Sequence, residues 1–186
     1  MTDTEMIINP SRGSGDPELP SAGLFLINPT EAHAGLKWAK NSGGQEHFLF
    51  NSRLALIPGS GHSSPLFIAG PSVGAPMAVL TLEKLIVLGA KRIIVYGWCG
   101  SLNDTLQIGD VLLPTWAISD EGTSNHYPAT PRPESHAPTR QILGERFAAH
   151  GLTALSGPIW TTDAPYRESI TQVNQLTEQN ILGVDM

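Results

Sequence analysis

Continuous apolar runs, rather than alternating ones, mark the strands expected in the first half of this chain. Leu24-Phe25-Leu26-Ile27 is closed by Asn28-Pro29, and Leu54-Ala55-Leu56-Ile57 and Leu66-Phe67-Ile68-Ala69 repeat the pattern on either side of a Gly/Ser/Pro turn at 58–65. Such runs fit strands buried on both faces, and the last two read as a pair. A helix is expected over 31–40, after the first run. Pro76 stands where a first helical turn accepts it, and good helix formers fill 77–88 until Gly89 ends them. Only Glu83 and Lys84 interrupt the apolar surface of that helix, so it is expected to be mostly buried. Arg92-Ile93-Ile94-Val95-Tyr96 follows as another buried strand. Strand, loop, helix and strand at this spacing predict a βαβ unit.

Beyond residue 100 the runs shorten. Strands are expected at 111–114 and 116–118 after the turn Ile108-Gly109-Asp110, then at 152–155, 159–161 and 181–184, with helices over 140–150 and 168–179. Pro128, Pro131, Pro133 and Pro138 make 127–138 a loop. Pro10, Gly13, Gly15, Pro17 and Pro20 break any periodicity at the start, so 1–21 reads as a flexible tail before a domain at 22–186. The class is α/β, with a mixed sheet covered by helices.

Composition narrows the function. The chain has 186 residues and a formal net charge of -6, and its 11 basic residues are scattered, which argues against nucleic acid or an anionic membrane as partner. The lone cysteine, Cys99, leaves no disulfide framework and no Cys-rich metal site, and the six histidines show no close ligand spacing, so no metal is expected. Apolar stretches are broken well before about 18 residues and the polar start has no signal-peptide core. A soluble cytoplasmic protein is the expectation.

In open α/β sheets ligands gather at the carboxyl ends of strands. Four such ends are unusual here: Gly70-Pro71-Ser72-Val73-Gly74, Gly97-Trp98-Cys99-Gly100-Ser101, the stretch from Thr161-Thr162-Asp163 to Arg167-Glu168, and Val184-Asp185-Met186. Gly70-x-Ser72-x-Gly74 between strand and helix also matches the nucleophile elbow of α/β serine hydrolases. The elbow needs its helix to begin at the serine, whereas Pro76 starts it some residues later, which favours Ser72 as a turn or ligand-hydroxyl residue.

Taken in order, these segments resemble the nucleoside phosphorylase family, which spans uridine and purine nucleoside phosphorylases and methylthioadenosine/S-adenosylhomocysteine nucleosidases. The resemblance rests on the Gly-rich turn at 70–74, Glu83-Lys84-Leu85 with Leu88-Gly89-Ala90, Gly97-Trp98-Cys99-Gly100, Ile108-Gly109-Asp110-Val111, Glu121-Gly122-Thr123-Ser124-Asn125-His126-Tyr127, Thr162-Asp163-Ala164 and Val184-Asp185-Met186. It implies a mixed sheet closing toward a barrel, homo-oligomeric assembly, and a pentosyltransferase or nucleosidase acting on a nucleoside's N-glycosidic bond in nucleoside metabolism or salvage. It implies no organic cofactor, and phosphorolysis with inorganic phosphate as co-substrate or hydrolysis by water as the alternatives. Gly97 to Gly100 would lie beside ribose and base, Gly74 near phosphate or ribose, Thr162 and Asp163 at the base with Asp163 as candidate acid, and Asp185 and Met186 on the ribose. The next family residue is a glutamate that binds the ribose hydroxyls, so the domain is expected to be incomplete at its C-terminus and short of catalytic residues. A non-catalytic nucleoside-binding member is the rival reading.

Such residue types suit the chemistry. Glycosidic cleavage passes through an oxocarbenium-like sugar, so the protein must fix the hydroxyls, stabilise the departing base and hold phosphate or water opposite. Two departures matter. The first turn is Asn28-Pro29-Thr30-Glu31-Ala32-His33 and Val95-Tyr96 precedes Gly97, so both customary phosphate arginines are absent, and Trp98 replaces a small hydroxyl residue. The Gln-x-Arg pair of uridine enzymes is also not evident. Plainer roles stand beside the sharp ones. Cys99 is a nucleophile or a packing residue, His126 a ligand or subunit contact or an exposed loop residue, and Trp98 a base-stacking ring or a space-filler. Asp163 is a site residue or a cap for Ala164-Pro165, and Arg167 an anion or base contact or a surface partner of Glu168 or Glu121.

Overall fold

The computed structural model describes residues 6–61, 63–128 and 130–186. Residues 1–5 of the expected tail, 62 in the turn 58–65 and 129 in the loop 127–138 lie outside them. The chain folds as two compact units, one ending at Gly97 and the other beginning at Trp98. Both are α/β with mixed strand directions, as the sequence leads one to expect.

The first unit carries β1 (Ala22–Leu26), α1 (Pro29–Asn41), β2 (Gln45–Leu49), β3 (Ser52–Ile57), β4 (Leu66–Gly70), α2 (Ala75–Val87) and β5 (Arg92–Tyr96). Its sheet has the order β2-β3-β4-β1-β5. β4 and β5 both run parallel to β1, while β3 is antiparallel to its neighbours, so the βαβ unit brackets β1. The continuous apolar runs have the expected cause. Phe25, Leu54, Phe67 and Ala69 face one layer with Leu85 and Leu88 of the α2 region, and Leu26, Ala55, Ile57 and Ile68 face the other with Ala32 and Ala39 of α1. Successive side chains thus enter two different cores.

Two expectations fail here. α2 is not mostly buried, because Thr81 and Leu85 alone are buried within it, while Met77, Leu80 and Ile86 are exposed, Ile86 by 59%. β5 is not a buried strand either. It is the sheet edge, with one hydrogen-bonded neighbour, and Ile94, Val95 and Tyr96 are exposed. β2 gave no sequence signal, since its polar Gln45-Glu46-His47 start suits an exposed edge. The described part of 1–21 has no helix or strand before Ser21, yet it is anchored. Arg12 donates to the Leu88 carbonyl at 2.9 Å, Lys84 pairs with Asp16 at 2.5 Å, and Leu19 is buried.

The second unit carries β6 (Gly100–Ser101), β7 (Val111–Asp120), α3 (Ala137–Ala149), β8 (Ala154–Thr162), α4 (Ile170–Glu178) and β9 (Gly183–Asp185), in the sheet order β6-β9-β8-β7. The short strands expected at 111–114 and 116–118 are one strand, interrupted by a register shift between Pro114 and Ala117. A proline lacks the ladder N–H, and the bulge absorbs it. Those expected at 152–155 and 159–161 are likewise the single strand β8. Trp160, Leu176, Ile181 and Val184 form this unit's core, with Trp116, Ile118 and Val173 packed on it. The loop 127–138 lies along β7, where Ala117 N donates to Pro133 O, Ser135 N to Thr115 O, and the Arg132 guanidinium sits 4.7 Å from the Trp116 ring centre. Among the described residues no helix is long and apolar enough to cross a membrane.

Gly70 shows how tightly the strand ends are drawn together. Its φ is +142°, and a Cβ there would lie 2.1 Å from the Leu26 carbonyl oxygen. Gly43, at φ +80°, has open space around it. Chemical unfolding should therefore show Gly70→Ala destabilised by more than about 3 kcal/mol and Gly43→Ala by about 1 kcal/mol. Equal losses would show that the close approach to β1 carries no energetic weight.

Candidate functional site

Each unit presents a row of parallel strand ends. In the first, Ile27 N donates to Tyr96 O and Ser72 N to Ile27 O, which laces together the ends of β1, β5 and β4. Gly74, at φ +86°, is the residue before α2, and Gly97 closes the row, where an added Cβ would only touch Ile27 and the Asn28 side chain at 3.5 and 3.7 Å. Ser72 is buried, and its hydroxyl lies 2.8 Å from Thr81 Oγ1 and accepts from Asn51 at 3.4 Å. With α2 starting at Ala75, the serine is not at a strand-to-helix elbow. Its hydroxyl is tied into a turn-holding triad. A cavity of about 290 Å³ beside this triad is lined by Asn51, Thr81, Leu80, Phe50, Lys84 and residues 8–11. It lies between α2, the turn after β2 and residues 8–11.

The second unit gathers more chemistry. β7, β8 and β9 run parallel, and β6 runs antiparallel to β9 with Gly100 opposite Val184. The ends of three strands and the start of a fourth therefore share one sheet edge. That edge brings together Trp98, Cys99 and Gly100, Thr162 and Asp163, and Asp185 and Met186, all picked from the sequence. Register sets which face they use. Ile118, Trp160 and Val184 are aligned across the sheet and lie in the core. One residue further along, Ser119, Thr161 and Asp185 are aligned and must face the opposite way, because side chains alternate.

This polar row carries perturbed groups. Burial pushes the Asp185 carboxyl above its ordinary value, against the hydrogen bond it receives from the Thr161 hydroxyl. Burial and then the Asp185 charge push the Cys99 thiol up as well. Cys99 as a whole is exposed, but its Sγ is tucked within 3.4 Å of where a Gly183 Cβ would stand. A raised thiol pKa disfavours the thiolate, so Cys99 fits the packing role better than the nucleophile.

Glu121, just past β7, is buried. It accepts from Ser119 Oγ at 2.7 Å, Thr123 N at 2.6 Å and Ser124 N at 3.1 Å. Burial alone would raise its carboxyl, but these donors together hold it below the ordinary value. Asp163 does not cap the short 3-10 turn Pro165–Arg167. Its Oδ2 accepts from Gly122 N at 2.9 Å, and Ala164 N bonds Thr162 Oγ1 at 3.2 Å instead. Arg167 is exposed in that turn, and among the described residues no salt bridge joins it to Glu168 or Glu121. His126 ends the 3-10 turn Thr123–His126 and is exposed; Trp98 and Met186 are exposed too. Sequence reasoning passes over Ser119 and the bonding of Glu121, and it names Thr161 only as the start of a strand-end stretch. The signal for the Glu121 bonding was an acid directly before Gly-Thr-Ser, a pattern in which a side chain captures the next backbone N–H groups. Among the described residues no group of three or more His, Cys, Asp or Glu side chains is placed to hold a metal ion.

The sequence profile of the phosphorylase superfamily matches residues 29–186. The chain belongs to that superfamily. Guanosine phosphorylase of Halorubrum lacusprofundi is 29% identical over 139 residues, covering 73% of this chain and 57% of that protein. The chain thus spans little more than half the length of the curated relatives it matches. Purine nucleoside phosphorylase of Toxoplasma gondii, solved with immucillin-H, superposes with a TM-score of 0.74 at 25% identity, over 91% of this chain and 68% of that one. Uridine phosphorylase of Vibrio fischeri shares the fold, with a TM-score of 0.79 at 18% identity over 93% and 76% of the two chains. Membership makes phosphate the family's usual co-substrate and gives no support to a serine hydrolase.

Two outcomes follow from this geometry. The ionised Asp185 is disfavoured by burial, a cost absent at acid pH that appears as pH rises through the ordinary aspartate value. Asp185→Asn should therefore be more stable than wild type at pH 7, the difference closing toward pH 3 in thermal unfolding. A variant less stable at pH 7 would show that the Thr161 hydrogen bond outweighs burial. A fluorophosphonate probe should leave Ser72 unmodified; labelling of Ser72 would revive the hydrolase reading.

Proposed function

We propose that this protein binds a nucleoside at the strand edge of its second unit and acts on the N-glycosidic bond, serving nucleoside metabolism or salvage. The observation that carries the reading is the superfamily match across 29–186 together with a polar row, Ser119, Thr161 and Asp185, at that edge. A half-buried carboxylate and hydroxyls beside the glycine at Gly100 are the groups a sugar with vicinal hydroxyls calls for. Thr162 and Asp163 wall the same edge, Trp98 and Met186 offer apolar surface to base and ribose, and Arg167 and His126 stand on the turns beyond β8 and β7. Asp163 is the proposed acid for the leaving base. The protein works in the cytoplasm as a homo-oligomer, without organic cofactor or metal.

Water is the proposed nucleophile, because no arginine follows β1 or ends β5 to hold a phosphate. Purified protein incubated with purine and pyrimidine nucleosides should release free base at a rate changing less than about twofold on adding millimolar phosphate. Steep phosphate saturation abolished by Arg167→Ala would overturn that choice of nucleophile and identify Arg167 as the anion site. Nucleoside binding with no base release would select the non-catalytic reading, and neither binding nor release would sink the proposal.

A further inference from the structure

Glu121 is a charged side chain the proposed chemistry does not use, yet it is buried and more completely hydrogen-bonded than any other carboxylate among the described residues. One oxygen takes the Ser119 hydroxyl and the other the Thr123 amide, and the Ser124 amide reaches both at 3.1 Å. The one intervening amide, that of Gly122, goes to Asp163 at 2.9 Å. Three consecutive backbone N–H groups are therefore held by two carboxylates that directly follow different strands. Because β7 and β8 are parallel and Asp120 pairs with Thr162, both carboxylates start from neighbouring strand ends.

From this geometry we infer that Glu121 and Asp163 act as a pair of positioning residues, which fix the turn 122–126 as one wall of the nucleoside site and set its affinity. The inference rests on the proposed function, and it gives Asp163 a second task beside its proposed role as acid, that of holding the Gly122 amide through Oδ2. Amides gathered by a carboxylate cannot rotate to meet water, so the turn enters binding already ordered and loses little freedom on contact with the ligand. A charged acceptor also makes each of these bonds stronger than a neutral one. Ser119 links the clamp to the polar row, since its hydroxyl donates to Glu121 while its backbone pairs with Thr161, the neighbour of Asp185. The order of the turn and the placement of the sugar-facing groups are thereby coupled through one side chain.

The test is calorimetric binding of inosine and of uridine to the full chain, wild type against Glu121→Gln, Asp163→Asn and Asp163→Ala, with amide hydrogen exchange and thermal unfolding followed on the same samples. Glu121→Gln presents an NH₂ to at least one amide donor and should weaken binding of the accepted nucleoside at least tenfold, with faster exchange at Gly122, Thr123 and Ser124. Asp163 is exposed, so its variants should keep their melting temperature. Asp163→Asn, which retains an acceptor oxygen, should bind nearly as wild type, whereas Asp163→Ala should bind several-fold more weakly. A merely structural role would lower the melting temperature and leave affinity and the Asn/Ala difference unmoved. Unchanged affinity in Glu121→Gln and Asp163→Ala, with wild type binding normally, overturns the positioning role alone. No binding of either nucleoside by wild type overturns the proposed site and this inference with it.

Discussion

Burial of the Trp160 indole fixes the register on which the second unit depends. The ring is in the core with Val184, Leu176 and Ile181, and Ile118 and Val184 stand beside it on the neighbouring strands. A one-residue slip of β8 would turn Trp160 outward and Thr161 inward, a loss of several kcal/mol from exposing the indole and burying a hydroxyl. The same phase that buries Ile118, Trp160 and Val184 obliges Ser119, Thr161 and Asp185 to line up on the other face. The polar row is thus a consequence of core packing. Its partly desolvated carboxylate is the cost that the core meets for a row of groups able to hold a polar ligand.

The bulge at Pro114 serves the same end. It lets β7 pair with β8 both before and after the proline, so Asp120 arrives opposite Thr162 and Glu121 lands where its carboxylate reaches the following amides. Without the register shift, the residues after Pro114 would meet the wrong partners on β8. Strand phase, bulge and carboxylate clamp form one chain of causes from sequence to site.

Much of this was legible beforehand. The apolar runs at 24–27, 54–57 and 66–69 announced strands between two helical layers, and Pro76 with Gly89 placed α2 within two residues. The order of the Gly-rich and Asp-containing segments points to the family, and sheet topology brings seven residues from three of those segments to one edge. What could not be read depends on partners distant in sequence. Ile94 and Val95 look like core residues, but β5 has a neighbour on one side only, and a lone strand cannot say how many neighbours it has. The apolar outer face of α2, with Met77, Leu80 and Ile86 exposed, is hidden from the sequence for the same reason. Pro114 hid the continuity of β7, because a proline in a strand ordinarily ends it. Glu121 looked like a surface acid until three donors were seen around it.

The claim that decides the account is that a nucleoside is held at the carboxyl edge of β7, β8 and β9. Backbone amide resonances followed during titration with inosine and uridine test it most directly. The account predicts saturable shifts concentrated on Gly100, Gly122, Ser124, Thr162, Asp163, Asp185 and Met186. Shifts confined to the first unit's cavity around Asn51, Thr81 and Lys84, or none at all, would contradict it.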